Sequence, residues 1–154
     1  MVTFLASAAY LGYAPVASGT FGTLAGIPLF LGLSQLPFWA YLAALAAVII
    51  LAVYLAARAE GIYGQRDDGR IVIDEVAGYL VTMVGVGPSL GGIILGFILF
   101  RAFDILKPWP ARLIDRKWRG GLGLVLDDVA AGVYACAVLH VLIFFWPALG
   151  GSSW

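Results

Sequence analysis

Charge is missing from most of this chain. Met1 to Ala57 and Val129 to Trp154 contain no Lys, Arg, Asp or Glu, so the nine basic and nine acidic residues all fall between Arg58 and Asp128. Cysteine is nearly missing too. Cys136 stands alone, which excludes an intramolecular disulfide, and its setting in VYACAVLHVLIFF lacks the polar, electropositive surroundings a thiolate nucleophile needs. Cys136 is therefore expected only to pack. His140, the one histidine, shares that run and reads as a packed or snorkelling side chain. Zero net charge leaves no basic surplus to neutralise phosphates along a strand, which excludes a nucleic-acid partner. The first residues show no basic leader and no small-residue cleavage site, so Met1 onward is expected to be mature protein.

What is present is apolar. The chain has 154 residues, enough for one domain (1–154), and 62% of them are hydrophobic while 12% are charged. Soluble domains average about 25% charged, and a mean hydropathy of +0.99 exceeds what filling a core requires, so the excess is expected to face lipid. Four apolar blocks are visible: Leu24–Leu33, Phe38–Ala57, Val76–Phe100 and Val129–Trp146. The second is long enough to cross the ~30 Å hydrocarbon layer. Gly85-Val86-Gly87-Pro88-Ser89 interrupts the third and predicts a hairpin that returns both of its ends to one side. The Ser34–Pro37 turn between the first two blocks does the same for Ser18–Thr23. The expected fold is an all-α integral membrane helical bundle with short or broken hairpins. Pro110–Trp118 would form one interfacial helix, and the basic residues would place the charged side in the cytoplasm.

Inside the charged stretch the acids come beside each other or beside bases. Asp74-Glu75 opens the third block and Asp127-Asp128 precedes the fourth, after Gly120-Gly121-Leu122-Gly123. One acid suffices to cap a helix; a second adjacent carboxylate adds repulsion unless a cation lies near. Two such pairs together with Asp104 point to a metal site, and all-oxygen ligands suit a hard cation, with Mg²⁺ the default. Arg101, Asp104 and Lys107 follow at i, i+3, i+6 on one broad helical face, the bases being suited to phosphate oxygens. Ser18-Gly19-Thr20-Phe21-Gly22-Thr23 offers hydroxyls and backbone N–H groups at a helix start, a form of anion cradle. Arg66-Asp67-Asp68-Gly69 and Glu60 read as solvated turn or surface.

In order and spacing, SGTFGTLAGIP (Ser18–Pro28), RIVIDEVAGYLV (Arg70–Val81), FRAFDILKPWP (Phe100–Pro110) and RLIDRKWRGGLGLVLDDVAAG (Arg112–Gly132) resemble the phosphatidylglycerophosphatase A family. The resemblance implies a magnesium-dependent lipid phosphatase of the bacterial inner membrane. It would convert phosphatidylglycerophosphate to phosphatidylglycerol and phosphate at the cytoplasmic face, with a phospholipid substrate and the bilayer as partners. It also implies helices packed around a central one. On this reading Asp74, Glu75, Asp127 and Asp128 hold one or two Mg²⁺. Asp104 is a further ligand or orients the attacking water. Lys107 and Arg101 clamp the phosphoryl oxygens; Ser18, Gly19, Thr20 and Gly22 cradle the phosphate; Arg112 and Arg116 meet the headgroup. Asp74, Asp104, Lys107 and Asp128 are the expected catalytic residues, and Asp74 or Asp104 as a covalent nucleophile stays open. Two other readings remain: a phosphatase, pyrophosphatase or phosphotransferase acting on another lipid, and a cation transporter. The uncharged flanks disfavour the transporter.

Overall fold

The computed structural model describes residues 1–109, 118 and 120–151. These residues form six α-helices and no strand: α1 (Val2–Ala6), α2 (Ser18–Leu33), α3 (Phe38–Tyr63), α4 (Ile73–Thr82), α5 (Leu90–Leu106) and α6 (Gly121–Phe145). Single 3-10 turns stand at Leu11–Tyr13 and Pro147–Leu149. The all-helical expectation holds. The interfacial helix expected at Pro110–Trp118 lies outside the described residues except for Trp118, which is exposed.

The bundle is organised around α4. This helix packs against α2, α3, α5 and α6, and Asp74 and every residue from Val76 to Thr82 are buried. A helix apolar on all sides has no face to give to solvent, so it takes the centre. Around it Phe30, Tyr41, Tyr79, Leu80, Met83, Phe100 and Leu139 form the main core. The Tyr41 hydroxyl, fully buried, donates to the Leu80 carbonyl at 2.7 Å, which removes the cost of burying it unpaired. Backbones touch where α4 crosses α6: a Cβ added at Gly132 would lie 2.4 Å from the Gly78 carbonyl oxygen.

The hairpin expected from the Gly/Pro break is present. After Thr82 the chain turns with Gly85 at φ +75, a left-handed conformation natural to glycine, and the Ser89 hydroxyl caps α5 by accepting from Gly92 N–H. The Pro147–Leu149 turn closes over this tip, where Gly87 N–H donates to the Gly150 carbonyl at 2.9 Å and the Ser89 hydroxyl donates to the Leu149 carbonyl. At ~1.5 Å per residue the ten residues of α4 reach only ~15 Å. Among the described residues α3 and α6 are the helices long and apolar enough to cross a membrane, and most of each points outward from the bundle.

Two helices begin earlier than their apolar blocks. Helix α2 starts at Ser18, so the SGT segment is its first turn. Helix α6 starts at Gly121, so Asp127 and Asp128 sit two turns inside the helix instead of at its start, as the sequence suggested. The glycines that read as a flexible lead-in are packing surfaces. A Cβ at Gly121 would lie 2.4 Å from Ala57 N, and one at Gly123 would lie 2.2 Å from the Trp118 carbonyl oxygen. The result gathers the starts of α2, α4 and α6 and the ends of α3 and α5 at one end of the bundle.

Candidate active site

The first turn of α4 carries Asp74 and Glu75, the last two turns of α5 carry Arg101 and Asp104, and Lys107 follows as that helix's cap. Helix α6 brings Asp128 across from the other side. One carboxylate oxygen from each of Asp74, Glu75 and Asp128 lies within 4.8 Å of the other two. Asp74 and Asp128 are only 5% and 4% exposed. Asp74 Oδ1, Glu75 Oε2 and Asp128 Oδ2 are buried without a hydrogen-bond donor. Burial, reinforced by the charge of Glu75, pushes the Asp74 carboxyl well above its usual range; burial also pushes Glu75 up to about 8. Three inward-facing carboxylates with unpartnered oxygens form a group that could hold a metal ion through oxygen ligands.

Bases flank the acids. Arg101 Nη1 is 2.7 Å from Asp104 Oδ2 and 3.9 Å from Glu75 Oε1, while Asp104 adjoins the Asp128 carboxylate. The Arg101–Asp104 contact is Coulombic, its N–H not aimed along the bond. Lys107 donates to Asp127 Oδ2, and Asp127 Oδ1 accepts from the Asp128 N–H at 3.1 Å. Lys107 does this from a left-handed backbone conformation, φ +42, directly before Pro108. Such a conformation costs a non-glycine residue roughly 1–3 kcal/mol and persists only where its surroundings impose it.

The head of α2 closes the site. A Cβ added at Gly19 would lie 2.2 Å from Glu75 Oε1 and 3.0 Å from Arg101 Nη1, so only glycine lets this turn approach the charges. Its carbonyl accepts from the Thr23 hydroxyl at 2.9 Å. Ser18 and Thr20 are half-buried on either side, and the preceding residue, Ala17, is held at φ +53. The helix's free N–H groups therefore open beside the acid cluster.

Of the residues the sequence singled out, the structure brings together Asp74, Glu75, Arg101, Asp104, Asp128 and the Gly19 turn. Asp127 turns to Lys107, beside the three converging acids. Gly22 packs on Val72, and Arg112 and Arg116 lie outside the described residues. Asp68 is the correction. The Asp-Gly turn signal made it solvated, yet it is 6% exposed and forms a bidentate pair with Arg70, Nε and Nη2 each 2.7 Å from a carboxylate oxygen. That pairing holds the Asp68 carboxyl below its usual range. Arg70 in turn lies 3.9 Å over the Tyr63 ring, whose hydroxyl meets that of Tyr13 at 3.0 Å. The sequence's one hint was Arg70 two residues after Asp68, with a glycine between them that leaves room to reach back.

Comparison with known proteins identifies a family. The family model Phosphatidylglycerophosphatase A matches residues 4–143. Phosphatidylglycerophosphatase A of Escherichia coli is 35% identical over 137 residues, covering 88% of this chain and 80% of that protein. Its counterpart in Haemophilus influenzae is 40% identical over 133 residues, covering 84% and 80%. A putative phosphatidylinositol-3-phosphatase of Bacteroides thetaiotaomicron is 35% identical over 138 residues, covering 84% and 86%. No solved structure matches. With a family match from near the first residue to the end of α6, and relatives aligned across most of their own length, this chain belongs to the phosphatidylglycerophosphatase A family.

Proposed function

We propose that Asp74, Glu75 and Asp128 form the magnesium centre at which this enzyme hydrolyses phosphatidylglycerophosphate to phosphatidylglycerol and inorganic phosphate. The observation that carries the reading is the buried triad with its unpartnered oxygens, set between two bases and a helix start. Family membership supports the reaction and the phospholipid substrate.

Magnesium, when bound, supplies charge neutralisation and Lewis acidity toward a phosphoryl oxygen. The chain's own groups do the positioning. Arg101 turns from Asp104 to the phosphoryl oxygens and offers a planar fork; Lys107, held by Asp127, offers a point charge. N–H groups at the head of α2, with the Ser18 and Thr20 hydroxyls, cradle the remaining oxygens. Asp104, freed of Arg101, takes a proton from the attacking water and returns it to the glycerol oxygen as its P–O bond breaks, so that the alcohol leaves neutral. Asp127 positions Lys107 and, with Asp104, completes the acidic set around one or two ions.

The site lies at the cytoplasmic face of a bacterial inner membrane, with the chain crossing it more than once. Arg58, Arg66, Arg70, Arg101 and Lys107 at one end and apolar α3 and α6 support that orientation. A second reading, hydrolysis of another lipid phosphate, has one observation behind it: the Bacteroides relative's name refers to an inositol lipid. Phosphate release from phosphatidylglycerophosphate and from phosphatidylinositol 3-phosphate, with and without Mg²⁺, for wild type and Asp128→Asn, tests both. Mg²⁺-dependent release confined to wild type is expected; equal release from all samples would sink the metal-phosphatase reading.

A further inference from the structure

Asp68 and Arg70 have no part in the chemistry above, yet they form a bidentate ion pair, each contact 2.7 Å long. They line a pocket of about 430 Å³ together with Gly12, Tyr13, Ser18 and Gln65. The pocket's walls are tied down from several directions. Arg70 is locked by its two contacts to Asp68 and by the Tyr63 ring. A Cβ at Gly12 would lie 2.2 Å from the Arg70 carbonyl oxygen. The Ile71 N–H returns to the Asp68 carbonyl at 2.8 Å. This rigid turn runs directly into α4, placing Asp74 four residues beyond Arg70.

Ser18 joins the pocket to the acid cluster. It lies on the pocket wall, 3.6 Å from where a Cβ on Gly69 would stand, while the next residue, Gly19, touches Glu75 and Arg101. A group held in the pocket and a phosphoryl group held at the triad would thus share one helical turn. The pocket offers a buried carboxylate that accepts, an amide and hydroxyls that donate and accept, and a cation. That set matches a hydroxylated segment carrying a second anionic group, whereas an alkyl chain would cover these polar groups without offering any of them a partner.

We propose that the Ser18–Gln65–Asp68–Arg70 pocket is the headgroup subsite. It takes the glycerol hydroxyl and the phosphodiester that lie between the hydrolysed phosphate and the acyl chains. The proposal rests on the phosphatase reading and deepens it. The pocket, not the triad, selects a lipid bearing a glycerol spacer over phosphatidic acid, whose phosphate sits directly on diacylglycerol.

Steady-state kinetics in detergent micelles tests it with Asp68→Asn and Gln65→Ala, the latter an exposed residue outside the ion pair. On phosphatidylglycerophosphate, KM is expected to rise roughly ten- to hundredfold for Asp68→Asn, the loss expected for one hydrogen bond to a charged group, with kcat within about twofold. Gln65→Ala is expected to show a smaller rise of the same kind. With phosphatidic acid, as substrate or as competitor, both variants should match wild type. A purely structural role would lower kcat on both lipids together, and that result, or an unchanged KM in both variants, overturns the subsite. An inactive wild type would remove the parent reading and this one with it; an active wild type with insensitive variants would remove this one alone.

Discussion

The two ends of the bundle are held together by opposite means. At the far end, where Met83–Ser89 meets Pro147–Gly151, there is no charged residue; backbone N–H groups, one serine hydroxyl and close-approaching glycines fasten the chain to itself. At the near end, carboxylates face one another with oxygens unpartnered, and Ala17 and Lys107 hold left-handed backbone. One end pairs its chain segments through hydrogen bonds; the other leaves carboxylate oxygens without donors. Buried carboxylates crowded together without donors are the kind of arrangement that marks a candidate functional site.

Substitutions should separate the ends cleanly. Asp128→Asn is expected to lower phosphate release on the order of a thousandfold, the scale of removing a group that stabilises the transition state. In chelator it should raise Tm by a few degrees (about 2–4 °C per kcal/mol), because one of three crowded, desolvated carboxyls is gone. Ser89→Ala at the far end is expected to do the reverse, costing about 1 kcal/mol of stability while leaving turnover unchanged. Thermal unfolding beside a phosphate assay checks both. If Asp128→Asn destabilises the chelated protein, the cluster is not under repulsion.

Glycines of α2 give a smaller contrast within a single helix. Gly19→Ala sets a Cβ against Glu75 and Arg101 and is expected to cost roughly ten- to hundredfold in kcat/KM by displacing groups near the reacting phosphate. Gly32→Ala, with nothing within 4 Å, should leave activity intact and stabilise by up to about 1 kcal/mol. Equal effects from the two would mean that the head of α2 does not serve the site.

The pH response also divides. In metal-free protein the raised Glu75 binds a proton when folded that it releases when unfolded, so stability should fall as pH rises from about 4.5 to about 8, by a few kcal/mol, and Mg²⁺ should abolish the slope. The lowered Asp68 works the other way. Its contribution is present above about pH 4 and lost as pH falls further, and since Arg70 is 40% exposed the effect should stay below about 1 kcal/mol. Calorimetry across pH 3–9, with Asp68→Asn as the control that loses the acid limb, would read both.

Much of this was legible in the sequence, and particular residues explain the rest. The Gly85–Ser89 break announces the hairpin because glycine and proline act locally. Adjacent acids point to an acid cluster because repulsion between neighbours needs no knowledge of the fold. Two features depend on packing that only the folded chain brings about and escaped. Gly121 and Gly123 look like a linker until Ala57 and Trp118 are seen pressing on them. Asp68 looks like a turn residue until Arg70, Tyr63 and Tyr13 close over it. Asp127 belongs with these, since its tie to Lys107 spans twenty residues.

Helix α4 has one further consequence. Nearly all its residues are enclosed by four other helices, so its amides can meet solvent only when the whole bundle opens, and they should be among the slowest to exchange. Asp74 and Glu75 project from the first turn of that helix. Their spacing is thereby anchored to the least-breathing part of the molecule, while the opposing groups from α2 and α5 sit on elements with a face left free to yield.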